Sequence, residues 1–203
     1  MNQTGASVVK RFIPILAVAG ICWLVFLLNH LFWNGHLSQF GIVPRRLGSL
    51  PGILWSPFLH ATFKHLAANT VPLLILGGIL CARSPGEFTL VTGLGIVLGG
   101  GLTWLFARTA VHIGASGLVF CFLGYLGSLA YFQRTFGTLL LSVVCVVGYG
   151  GMLKGLLPTS AAISWEAHVA GLLSGIAAAW LIAEVKRPDR PAGTTSRFPR
   201  IVR

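Results

Sequence analysis

Residues 112–133 read HIGASGLVFCFLGYLGSLAYFQ. From Gly114 onward the stretch is apolar for about the 20 residues that a bilayer crossing takes. Its early hydroxyl, Ser116, stands between Gly114 and Gly117. A serine in a membrane helix commonly bonds back to its own helix or helps helices pack. Whether Ser116 does more depends on which other polar residues reach the same depth.

Working outward, the whole chain shares this character. Its 203 residues are 55% hydrophobic and 9% charged, with a mean hydropathy of +0.81, which excludes a soluble domain. The four acids are Glu87, Glu166, Glu184 and Asp189. A net charge of +11 in a soluble protein would suggest nucleic acid, but here the basic residues fall mostly between apolar runs and act as an orientation signal, so no nucleic acid partner is expected. Cys22, Cys81, Cys121 and Cys145 lie in or at the ends of apolar segments without CxxC spacing, so neither a disulfide framework nor a zinc site is indicated. The first apolar run is long for a signal peptide and lacks a small-residue cleavage site, so it is read as a helix of the mature chain.

Six spans follow from this pattern: roughly 12–33, 57–81, 87–107, 114–133, 136–157 and 163–184. The expected organisation is an N-terminus over 1–11, a six-helix domain over 12–184 and a tail over 185–203. With the N-terminus cytoplasmic, ten Lys and Arg fall inside (Lys10, Arg11, Arg83, Arg134, Lys186, Arg187, Arg190, Arg197, Arg200, Arg203) and five outside (Arg45, Arg46, Lys64, Arg108, Lys154). The positive-inside rule therefore puts both termini in the cytoplasm, and the plasma (inner) membrane is the expected location. The tail, KRPDRPAGTTSRFPRIVR, is too polar and Pro-rich to fold alone, and either contacts anionic lipid headgroups or is simply solvated. The long first loop, WNGHLSQFGIVPRRLGSLPGILWSP, mixes Trp, Phe, Leu and Ile with turn residues and is expected to lie partly in the membrane interface.

Ionisable residues inside a membrane are costly and point to function. Span 2 opens with His60, His65 and Asn69, the last two on one helix face; span 4 carries Ser116 near its start; span 6 carries His168 near its start. Spans 2, 4 and 6 all run outside to inside, so these residues share one depth, roughly 10 Å in. Gly171 and Gly175 follow His168 at i+3 and i+7, and Gly117 and Gly124 are seven apart on span 4, so small residues let the helices approach. A Ser and a His from neighbouring helices are the minimum for an activated serine nucleophile. The Ser116 N–H, Asn69 and His65 are available as oxyanion donors. Each residue alone has an ordinary structural reading; together they indicate a site whose chemistry the residues leave open.

HxxxxHxxxN (His60, His65, Asn69), GASG (Gly114 to Gly117) and AHxxGxxxG (Ala167, His168, Gly171, Gly175) resemble the motifs of the rhomboid family of intramembrane serine proteases. The resemblance covers roughly residues 12–184. It implies an all-α membrane protein, a six-transmembrane-helix rhomboid-like bundle whose long first loop is embedded in the interface. It also implies a serine-type endopeptidase with an acid-free dyad, Ser116 as nucleophile and His168 as general base. His65, Asn69 and the Ser116 N–H would stabilise the oxyanion, with His60 and Gly114 in support. Single-span or polytopic membrane proteins would be the substrates, reaching an outward-facing site laterally past span 5 and the loop near 157–163. No cofactor or metal is implied. Two features depart from the family. Phe120 stands where a Tyr often stacks on the catalytic His, and Pro44-Arg45-Arg46 replaces a Trp-Arg pair, so Arg45 and Arg46 receive no role.

Other readings fit less well. An inactive rhomboid-like binder usually lacks the Ser or the His. A channel or transporter needs its histidines across the membrane rather than at one face. An aspartyl mechanism needs paired intramembrane acids, and a metalloprotease needs HExxH; neither is present in the sequence. Three histidines can still hold zinc.

Overall fold

The computed structural model describes residues 3–160 and 163–186. Six long helices make up most of it: α1 (Gln3–Phe32), α2 (Phe63–Arg83), α3 (Pro85–Phe106), α4 (Ser116–Gln133), α5 (Phe136–Leu156) and α6 (Trp165–Val185). Each contains a segment long and apolar enough to cross a membrane. The fold is an all-α membrane bundle. Among the described residues the only β pairing is an isolated bridge between Ile42 and His112.

Caps set the helix boundaries, and they shift several from those expected. The second span starts at Phe63 rather than 57, because Thr62 is extended and its side chain accepts the His65 N–H at 3.1 Å. Residues 57–62, His60 included, therefore belong to the first loop. Ser84 caps α3 by accepting the Glu87 N–H, with Pro85 in the first turn where its missing N–H costs nothing. A capping box between Thr135 and Thr138 opens α5. The first helix begins at Gln3 instead of near 12, since nothing in QTGASVVK stops a helix and Pro14 is accommodated inside it. α3 widens to a π-helical stretch over Gly95–Gly99, and α5 tightens to a 3-10 turn over Gly150–Leu156. The basic tail beyond Lys186 lies outside the described residues.

α4 is the central post. Every residue from Leu118 to Leu126 is buried, whichever face of the helix it stands on. α6 packs along it with backbones in contact: a Cβ on Gly171 would collide with the Gly117 carbonyl, one on Gly175 with that of Cys121, and one on Gly124 with that of Leu172. On the far side of α4, α2 and α3 bury Leu66, Leu73, Leu76, Leu80, Phe88 and Val91. Burial then falls outward. The most apolar windows of α4 and α6 are 56% and 50% buried, while that of α5 is 17% buried.

The first loop is a chain of short turns (3-10 at His36–Phe40, Leu47–Ser49 and Ser56–Phe58, helical at Gly52–Trp55). Phe40, Leu47, Leu50, Leu54 and Trp55 are exposed on it, as a loop bathed in an interface requires. Backbone and side-chain bonds fasten its outer part to the end of α3 and to the segment before α4. Ile42 and His112 exchange backbone bonds of 3.0 and 2.8 Å. Arg45 donates to the carbonyls of Leu105 and Ala107 at the end of α3. The Trp104 indole donates to the Arg46 carbonyl.

Candidate active site

Ser116 is the first residue of α4, so its N–H has no carbonyl one turn back in the helix. The turn that delivers it depends on Gly114, at φ +109°, a left-handed conformation that disfavours any side chain. His168, nearly buried, sits in the first turn of α6. The close α4–α6 contact brings the two together: Ser116 Oγ lies 2.9 Å from His168 Nε2.

The other ring nitrogen fixes the tautomer. His168 Nδ1 is 2.9 Å from the Gly155 carbonyl, which can only accept, so Nδ1 carries the hydrogen. Nε2 is left with a lone pair directed at the Ser116 hydroxyl, which therefore donates. Phe120, one turn along α4, stacks on the imidazole at 4.3 Å between centroids and 15° between planes. The position that lacks the expected phenol thus still supplies a flat wall.

His60, in the first loop, and His65 and Asn69, on α2, divide into two layers. His60 is buried behind the serine, and its Nε2 accepts from the Ala115 N–H at 3.3 Å and from Asn69 Nδ2 at 3.2 Å. Nδ1 therefore holds the proton and faces the Phe58 carbonyl at 3.4 Å. Burial, and then the neighbouring His65, push its pKa down to about 4, so it stays neutral through physiological pH. His65 packs edge-on to His60, 5.0 Å between centroids, and lies in front of Gly114, where a Cβ would meet its ring at 2.6 Å. A cavity of about 300 Å³ covers the dyad and is lined by Ser116, His168, Phe120, His65, Asn69 and Gly155, among others. Asn69, which donates one amide hydrogen to His60, carries a second. Among the described residues no group of three or more His, Cys, Asp or Glu is placed to hold a metal ion.

Four residues that the sequence reading passed over lash the two segments leading into the dyad. His112 Nε2 donates to the Arg108 carbonyl, leaving Nδ1 to accept from the Ser164 hydroxyl at 3.0 Å. The Arg108 guanidinium donates to the Ile163 carbonyl at 2.6 Å and lies 3.7 Å from the Glu166 carboxylate. The signals were present: a histidine inside the quoted HIGASG, and one of the chain's four acids two residues before His168.

This arrangement can transfer a proton from an alcohol to an imidazole beside a lined cavity, which is the opening step of acyl transfer. A family model described as the Rhomboid domain matches residues 48–185. An uncharacterized protein of Mycobacterium tuberculosis strain H37Rv is 34% identical over 199 residues, covering 92% of this chain and 82% of that protein. An uncharacterized protein of Mycobacterium leprae is 34% identical over 196 residues, covering 91% of this chain and 77% of that protein.

Proposed function

Because the chain belongs to the rhomboid family, known for intramembrane serine proteases, we propose that it is an active endopeptidase that hydrolyses peptide bonds in or near the transmembrane segments of single-span or polytopic membrane proteins. The observation that carries this reading is the 2.9 Å contact between Ser116 Oγ and an Nε2 whose lone pair is guaranteed by the proton on Nδ1.

In the proposed reaction, the Ser116 Oγ–H proton passes to His168 Nε2 as Oγ bonds to the scissile carbonyl carbon. The carbonyl π electrons move onto oxygen, and the oxyanion is met by the Ser116 N–H with Asn69 and His65 beside it. Each such donor is worth roughly 3–4 kcal/mol in a site shielded from water. The intermediate collapses, the C–N bond breaks, and the imidazolium returns its proton to the leaving amine. Water, deprotonated by His168, then attacks the acyl-enzyme and releases a carboxylate and free Ser116. A helical substrate hides its scissile carbonyl, so helix-breaking residues near the cleavage point make it easier to cut. We place the site on the outer side, with both termini in the cytoplasm, on the strength of the Lys and Arg distribution. Lateral access past α5 fits the shallow burial of that helix.

Purified protein is expected to cleave a single-span substrate and to react with a fluorophosphonate at Ser116. Ser116→Ala and His168→Ala should each lower the cleavage rate by a factor of about 10³ or more while leaving the unfolding midpoint near wild type. Full cleavage by folded Ser116→Ala protein removes the nucleophile assignment.

A further inference from the structure

The imidazole of His168 is held from two sides by elements of unequal anchorage. Nε2 faces α4, the most buried helix. Nδ1 faces the carbonyl of Gly155, on the 3-10 turn that ends α5, the least buried. Beneath that turn an apolar cavity of about 220 Å³, lined by Leu123, Gly127, Val146, Leu153, Leu172 and Ile176, separates α5 from α4 and α6. α5 is thus thinly packed next to the turn that meets the dyad.

We propose that the Gly155 carbonyl is the third member of the relay, a positioning group standing where other serine hydrolases place a carboxylate, so that the seating of α5 decides whether His168 can act as a base. The inference rests on the hydrolytic reading of the dyad. A neutral imidazole has two tautomers, and only the one protonated at Nδ1 leaves Nε2 able to accept from Ser116. The carbonyl selects that tautomer. Once Ser116 has given up its proton, the same contact becomes charge-assisted and strengthens. A Cβ at position 155 would lie 3.1 Å from His168 Nδ1 and 3.3 Å from Phe120 Cζ, closer than an ordinary contact, so a side chain there presses the imidazole away from the carbonyl. When α5 shifts away, Nδ1–H loses its acceptor. The ring can then place its proton on Nε2, facing Ser116, and proton abstraction stops. Hydrolysis proceeds only with α5 closed against the imidazole, which ties the chemistry to the helix beside which a substrate passes.

The test is the ¹⁵N–¹H spectrum of histidine-labelled protein in micelles, with the His168 signals assigned by their loss in His168→Ala. Wild type is expected to show the pure Nδ1–H pattern at His168. In Gly155→Ala that pattern should become a tautomer mixture, with Ser116 labelling by a fluorophosphonate slowed roughly 10- to 100-fold and kcat, rather than KM, reduced for a membrane substrate. Gly151→Ala, where a Cβ meets nothing within 4 Å, should match wild type in both measurements. A resting His168 protonated at Nε2, or a mixture in wild type, overturns the proposal, and this measurement stands even if Gly155→Ala does not fold. Retention of both pattern and labelling rate in Gly155→Ala overturns it as well. A wild type with the Nδ1–H pattern that neither labels nor cleaves sustains the positioning and refutes the protease reading.

Discussion

Gly114 carries two requirements at one position. Its φ of +109° is unfavourable for any L side chain, and a Cβ would lie 2.6 Å from the His65 ring and 3.4 Å from Asn69 Nδ2. Gly114→Ala should therefore cost about 1–3 kcal/mol of stability from the backbone alone, and more if His65 cannot move aside. Its cleavage rate should fall further than that loss of folded protein explains, because the added methyl projects at the proposed oxyanion donors. Unfolding and turnover measured on one preparation separate the two effects. His60 sets a different condition. Its pKa is about 4 in the fold against an ordinary 6.5, so the unfolded chain binds the proton more readily. Its contribution is complete above pH 6.5 and is lost as the pH falls from there to about 4, a change of roughly 3 kcal/mol. The difference in pH dependence of unfolding between wild type and His60→Gln should show this slope in that window. Parallel curves for the two proteins would contradict the assigned role of His60.

Between α4 and α6 the glycines are not equivalent, although the sequence writes them alike. Gly171 has no room for a Cβ because the Gly117 carbonyl occupies it, whereas a Cβ on Gly117 meets only the Ala167 carbonyl at 3.6 Å, an ordinary contact. Gly171→Ala should destabilise the protein by about 2 kcal/mol or more and separate Ser116 from His168, while Gly117→Ala should be nearly silent. Thermal unfolding and fluorophosphonate labelling of both variants check this, and equal effects would mean that the helices can slide. The contrast shows what could be read from the chain. Spacing put small residues on the facing sides of spans 4 and 6, because helical periodicity is a property of the sequence. Which glycine is crowded depends on register between helices, which is not. Likewise the six spans were legible because apolar length is legible, whereas the start of α2 was misplaced at 57 because Thr62 capping competes with a continuous apolar run. Arg45 carried no sequence signal. Its work is to meet the bare carbonyls of Leu105 and Ala107 at the end of α3, and such carbonyls have no side-chain identity.

Over the whole molecule the two ends of the bundle differ in kind. The end bearing the first loop holds the dyad and its cavity. The opposite end holds Glu87, a carboxylate that takes the Tyr125 hydroxyl at 2.7 Å and pairs with Lys186 and, at 3.5 Å, with Arg83, drawing α2, α3, α4 and the end of α6 together. Three of these groups stand at helix ends where Lys and Arg serve as the orientation signal, so one cluster both locks the bundle and places cations on its side of the membrane. This yields a test of topology that needs no activity. All four cysteines are buried, so a single introduced thiol can be read without background. Gln39 is exposed on the first loop, and Gly137 is exposed at the start of α5 on the Glu87 end, with nothing within 4 Å of an added Cβ. In intact cells an impermeant maleimide should label Gln39→Cys and spare Gly137→Cys until the membrane is permeabilised. The reverse pattern would put the dyad in the cytoplasm. It would overturn the orientation taken from the Lys and Arg distribution, which favours this end even when Arg83 and Lys186 are set aside with Glu87.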